Sequence, residues 1–106
     1  MSTPVYLGEF EQLVLLAVLR CGEDAYGMAV RRELLERASR DAAIGAVYAT
    51  LDRMEEKGLV KSAFSSGGEA RAGRPKRCYA VTAAGRRALQ HSRETVSRMS
   101  DGLELA

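Results

Sequence analysis

The chain has 106 residues, of which 46% are hydrophobic and 28% charged, with a net charge of +2 and two cysteines. That length suits one small domain with a modest core. Cys21 and Cys78 stand far apart with no Cys or His at ligand spacing, which excludes a zinc site of the usual kind and fits a reduced, cytoplasmic protein.

The first element falls over residues 7–20. Phe10, Leu13, Val14 and Ala17 make one helical stripe, and Leu7 and Leu16 widen it. The apolar surface exceeds half the girth, which predicts burial on two sides, against the domain core and against a partner chain. The apolar run at residues 13–19 is too short to span a bilayer, and nothing before it resembles a signal peptide. Cys21-Gly22 ends the helix, and Glu23-Asp24 makes a short polar turn.

A second helix follows over residues 26–39. Val30, Leu34 and Ala38 share its inner face, while Arg32–Glu36 and Glu33–Arg37 pair across one turn on its outer side. Gly27 lies either at a close helix crossing or in the loop before it. Residues 40–43 connect onward, with Asp41 the one capping side chain on offer, offset from the expected start.

The third helix, residues 44–58, carries Ile44, Val47, Tyr48, Leu51 and Met54 on an apolar stripe. Gly58 terminates it. Its other face is built from Gly45, Ala46, Ala49 and Thr50, with Arg53 and Lys57 at the flank. Small residues let a backbone approach a surface, and basic flanks suit phosphates, as a helix in a DNA major groove requires. An ordinary solvated surface helix is the competing reading.

Residues 60–64 and 76–81 then read as two short strands, with Tyr79 and Val81 on one face. The Gly, Ser and Pro residues between them support neither strand nor helix. Antiparallel pairing would project that loop as a wing carrying Arg71 and Arg74, with Lys76 and Arg77 at its return. Charge points the same way. Residues 1–52 hold five arginines against eight acids, net −3, residues 53–77 hold seven bases against three acids, net +4, and the remainder is +1. Positive charge gathered in one segment is expected of a polyanion-binding surface.

Thr82 opens the last helix, positioned to cap Ala84 or Gly85, and the helix runs to about residue 100 or slightly beyond. Leu89, Val96 and Leu103 recur every seven residues with Ser92 and Met99 between them, a seam that packs on another helix. With Leu7 and Phe10 of the first helix, these positions predict a homodimer interface. The expected class is therefore mainly α with a small β-hairpin. Residues 1–81 form a winged helix-turn-helix DNA-binding domain and residues 82–106 a C-terminal dimerisation helix, joined in one compact unit.

The ordered motifs resemble the PadR family of bacterial transcriptional regulators. The resemblance runs through Leu7-Gly8-Glu9-Phe10, Ala25-Tyr26-Gly27-Met28 and the stretch from Gly45 to Leu51. It continues through Met54-Glu55-Glu56-Lys57-Gly58-Leu59-Val60, Gly73-Arg74-Pro75-Lys76-Arg77-Cys78-Tyr79 and Val81-Thr82-Ala83-Ala84-Gly85, covering about residues 7–90. It implies a winged helix-turn-helix dimer, usually a repressor on a pseudo-palindromic operator, of the compact branch with one dimer helix. The resemblance also leaves room for a small-molecule effector, which no residue here identifies. Ala49 stands where the family often has proline, Cys78 where an aromatic is common and Ala80 where a polar or basic residue is common, so individual base contacts do not carry over.

On this reading Gly45 and Ala46 admit close approach, and Ala49 and Thr50 touch base edges or thymine methyls. Tyr48 packs its ring inward and offers its hydroxyl to a phosphate. Arg53, Lys61, Arg74, Lys76 and Arg77 neutralise phosphates, and Arg71 reaches the minor groove. A protein-interaction winged helix that never touches DNA is the alternative. No nucleophile–base pair, metal cluster or phosphate-binding glycine loop supports an enzyme, Gly67-Gly68 lies in the hairpin, the lone His91 reads as a surface helix residue, and no cofactor is expected.

Overall fold

The computed structural model describes residues 5–65 and 75–105. In chain order these form α1 (Glu9–Cys21), a single 3-10 turn (Gly22–Asp24), α2 (Gly27–Ala38), α3 (Ile44–Glu56), β1 (Val60–Phe64), β2 (Arg77–Val81) and α4 (Ala83–Ser100). The strands pair antiparallel in the register Val60↔Val81 to Phe64↔Arg77, and Tyr26 adds an isolated bridge to Cys78. The fold is thus mainly α with a small hairpin, as the periodicities predict. No described helix is long and apolar enough to cross a membrane.

All four helices and the hairpin feed the core. Val14, Leu15 and Val18 of α1, Val30 and Leu34 of α2, Val47, Leu51 and Met54 of α3, and Val60 and Tyr79 of the hairpin are buried together. Each such aliphatic side chain contributes about 2 kcal/mol by leaving water. The α2–α3 turn is fixed by polar contacts rather than by a cap. Ser39 takes a left-handed conformation (φ 53°), and Arg40 N–H donates to Leu34 O. Asp41, the one capping side chain on offer and already offset from the helix start, pairs with Arg31 at 3.2 Å, while Arg31 Nε donates to Ala42 O at 2.8 Å. Ala43 is the N-cap of α3 and makes no side-chain cap bond.

The end of α3 is built to turn tightly into β1. Gly58 has φ 75°, its N–H donates to Glu55 O, and Leu59 N–H donates to Met54 O at 2.9 Å, the paired bonds of a Schellman stop. Leu59 O then accepts from Thr82 N–H at 3.0 Å, and Thr82 Oγ1 donates to Gly58 O at 2.7 Å while accepting from Gly85 N–H at 3.0 Å. One threonine therefore ties the stop of α3 to the start of α4. Thr82→Ala removes both side-chain bonds, and thermal unfolding should show a loss of about 1–2 kcal/mol.

α4 divides in two along its length. Gly85, Ala88, Leu89 and Ser92 are buried, whereas Val96 and Met99 are exposed. Ser92 Oγ accepts from Leu7 N–H at 3.0 Å and donates to Ala88 O at 2.8 Å, which pins the segment before α1 onto α4. His91 is also more enclosed than a surface residue. The Tyr6 ring lies 4.8 Å from it, and its Nε2 is buried without a partner among the described residues.

Candidate nucleic-acid interface

The outward face of α3 follows from what its inward face buries. Val47, Thr50, Leu51 and Met54 turn inside, which leaves Gly45, Ala46, Tyr48, Ala49, Asp52 and Arg53 on the outside. The exposed strip is nearly free of bulk over its first two turns. Around Gly45 there is open space, with no atom within 4 Å of where a Cβ would stand. A helix bared in this way can bring its backbone close to a flat or concave partner.

Thr50 departs from the expected surface. It is only 3% exposed, sits among the core side chains, and its Oγ1 receives a long contact from Arg53 Nη2 at 3.4 Å. A buried hydroxyl cannot reach a base edge, so Thr50 belongs to the packing of α3. Tyr48 is 39% exposed and rests on α2, where a Cβ on Gly27 would stand 2.4 Å from its Cζ and 2.5 Å from its hydroxyl oxygen. Gly27 is therefore the close crossing of the two alternatives raised by the sequence. It gives the Tyr48 ring a seat that any larger residue would fill.

The basic residues separate into free and engaged. Arg53 and Lys61 are exposed, and neither has an ion-pair partner among the described residues. Lys76 lies with its Nζ 3.9 Å above the Tyr26 ring, a cation–π contact to the start of α2. Its backbone closes the neck of the hairpin, with Ser65 N–H donating to Lys76 O at 2.7 Å. Arg77 is bound to α3, with Nη2 2.5 Å from Glu55 Oε1, Nη1 3.5 Å from Asp52 Oδ1 and Nε donating to Ser62 Oγ at 3.0 Å. Arg77 was expected to meet phosphate, and it is instead held by carboxylates and a hydroxyl. Arg71 and Arg74 lie outside the described residues.

Glu55, Ser62 and Tyr26 were not among the site residues expected from the sequence, although Glu55 and Tyr26 lie in the motifs that carry the resemblance. Ser62 lies diagonally across the ladder from Arg77, on the same face, and only the strand register reveals that. The Ser62 hydrogen bond, with Arg77 beside it, holds the Glu55 carboxyl below its ordinary range. The ion pair therefore persists at neutral pH and is lost as pH falls through that depressed value. Burial pushes the Cys21 thiol up, with Glu33 adding to it, the opposite of a reactive thiolate.

The expected partner surface is split. Leu7, Leu89 and Ser92 are covered within the chain and belong to its own core, and Phe10 is half-buried against that core with the Arg40 guanidinium 5.9 Å from its ring centre. Val96, Met99 and Leu103 are 61–76% exposed and pack on nothing in the protomer's core. No group of three or more His, Cys, Asp or Glu residues that could hold a metal ion occurs among the described residues.

Residues 15–91 match the family model described as the transcriptional regulator PadR-like family. Among solved structures, a PadR-family transcriptional regulator from Eggerthella lenta aligns with a TM-score of 0.68 at 27% identity, over 90% of this chain and 82% of that one. A PadR-like transcription factor from Bacteroides fragilis gives 0.71 at 22% identity, over 87% and 84%. A winged-helix DNA-binding protein from STIV gives 0.73 at 15% identity, over 93% and 99%, a likeness of fold alone. No protein of curated function matches the sequence.

Proposed function

The chain belongs to the PadR-like family of transcriptional regulators, and from that premise we propose that it is a homodimeric repressor that reads a pseudo-palindromic operator with one α3 in each of two major grooves. The observation that carries the reading is the bare outer strip of α3, Gly45, Ala46 and Ala49, bordered by Tyr48 and by Arg53 and Lys61, neither of them ion-paired among the described residues. A methyl-sized surface lets the helix lie deep in a groove about 12 Å wide, where Ala49 can touch a thymine methyl. Arg53 and Lys61 meet the phosphates on either side and supply most of the sequence-independent affinity.

The unpartnered end of α4 supports pairing of two chains. Val96 and Met99 lie on the side of α4 that continues from Ser92, so the stripe that begins in the protomer's own core runs out into solvent, while Leu103, expected on the same seam, lies past the helix end at Ser100 and is exposed as well. Covering it with the same stripe of a second copy gives a two-fold arrangement and a matching two-fold operator. Repression is steric in this scheme, since a dimer over a promoter excludes polymerase.

Selection of bound duplexes from random sequence with the purified protein tests the reading. It should enrich two inverted half-sites with centres about 10 bp apart, or a multiple of that. No enrichment would sink DNA recognition and leave a protein-interaction module, and a single half-site would sink the dimer. On the selected duplex, Lys61→Ala should weaken binding to all sequences alike and reduce the log–log salt slope by about 1. A promoter fused to the selected site should lose output when the protein is expressed, and a gain would identify an activator.

A further inference from the structure

Two carboxylates sit on or beside the outer face of α3, where a DNA backbone tolerates them least, and both are held by one arginine. Arg77 of β2 reaches Glu55 and Asp52 of α3, and its Nε donates to Ser62 of β1. Ser62 Oγ closes the ring by donating to Glu55 Oε2 at 2.8 Å. The contacts therefore bridge a helix and both strands of the hairpin through side chains alone. One residue earlier, Lys76 holds the same strand end to Tyr26 at the start of α2.

A half-exposed ion pair of this kind contributes little to global stability, because water screens it and ordering the side chains opposes it. It does contribute direction. A planar guanidinium held by a carboxylate and a hydroxyl has few orientations that satisfy all its partners. The chain passes from α3 to β1 through Gly58 and Leu59, whereas Arg77 stands at the opposite end of the hairpin, paired with Phe64 next to the loop. A tether there limits the swing of the hairpin far more than one beside Gly58 would.

We propose that Glu55 and Arg77 are positioning residues for DNA binding, which through Ser62 set the angle between hairpin and α3 so that groove and phosphate contacts are made together. This rests on the DNA-binding reading above. Arg77 on this account is a strut and not a phosphate ligand. Its carboxylate partner helps binding even though its charge has the wrong sign for DNA. Pre-setting the angle removes an ordering cost that a loose hairpin would meet at the moment of binding.

That sign makes the test sharp. Simple charge accounting predicts that Glu55→Ala, which removes a negative charge from a DNA-facing surface, tightens binding. The strut predicts the reverse, about tenfold weaker binding on the duplex selected by the wild-type chain, with the salt slope unchanged. In an Arg77→Met background the strut is already gone, so Glu55→Ala should there strengthen binding about threefold. Arg77→Lys keeps the charge without the fork and should fall between wild type and Arg77→Met. Thermal midpoints measured alongside separate positioning from folding. A loss of affinity that merely tracks a fall in midpoint overturns the inference, and so does tighter binding of Glu55→Ala in both backgrounds. Failure of the wild-type chain to select any duplex overturns the DNA-binding reading and the strut's purpose with it. Normal selection by wild type together with an indifferent Glu55→Ala overturns the strut alone.

Discussion

Gly85→Ala should lower the thermal midpoint by roughly 10–20 °C, the largest effect expected of any single methyl group in this chain. Helix propensity alone points the other way, since alanine is favoured over glycine by about 1 kcal/mol in a helix interior. Packing decides the sign. A Cβ on Gly85 would stand 2.1 Å from Leu59 O, 3.0 Å from Leu59 C and 2.8 Å from Val81 Cγ1. The first two are backbone atoms, with no rotamer to swing aside. That carbonyl also accepts from Thr82 N–H, so moving it breaks the junction between α3, β1 and α4. Relief requires α4 to lift off the hairpin and Ala88 and Leu89 to leave the core. Overpacking commonly costs about 1–3 kcal/mol, and backbone collision at a hydrogen-bonded junction belongs at the upper end. Gly45→Ala is the matched control, because open space surrounds that position. Its midpoint should hold or rise slightly while DNA affinity falls. An unchanged midpoint for Gly85→Ala, measured by circular dichroism on heating, would show that α4 does not dock as described.

Where the chain announced its structure, it did so through signals that need no partner. The helix α3, the glycine stop after it, the two short strands and the Thr82 cap are all decided within a few residues, and the structure has them within a residue or two of their predicted bounds. Thr50 shows how an amphipathic face can be read slightly rotated. Val47, Thr50, Leu51 and Met54 are spaced i, i+3, i+4, i+7, as good a stripe as one that includes Tyr48. Hydrophobicity favoured the tyrosine, but packing between α2 and α3 favoured the smaller threonine inside and put the ring on Gly27 at the rim.

The seam of α4 was half legible for a related reason. A heptad spacing tells that Leu89, Ser92, Val96 and Met99 share a side, not what lies opposite each of them. Leu7 N–H binds Ser92 and the core takes Leu89, so covering by the same chain stops about halfway along the helix. Charge was the least legible property. Seven bases between residues 53 and 77 look alike in sequence, yet Lys57 lies 3.7 Å from Glu11, Lys76 lies on Tyr26 and Arg77 lies among acids, so the free cations are fewer than the count. Pairing of that kind depends on strand register and helix crossings, which local pattern does not contain.

A chain carrying both Val96→Glu and Met99→Glu should sediment as a monomer at micromolar concentration and bind the selected duplex about 100-fold or more weakly. Neither side chain belongs to the protomer's core, so the fold of one chain has no reason to suffer. What changes is the surface left for a second copy. Two glutamates facing their own symmetry mates would place four like charges in an apolar contact, which desolvation and repulsion both oppose. The DNA effect follows from linkage. In a dimer the second α3 meets its half-site as an intramolecular event, at an effective concentration set by the span between protomers. A monomer keeps one half-site's contacts and loses that advantage, so its salt slope should fall to about half the wild-type value. Ser97→Glu, one residue along and off the stripe, should leave mass and affinity as they were. Retention of a dimer with both glutamates in place would move the interface elsewhere on the chain. A monomer that still bound as tightly as wild type would mean that one α3 and one hairpin suffice, and the two-fold operator would have no physical basis.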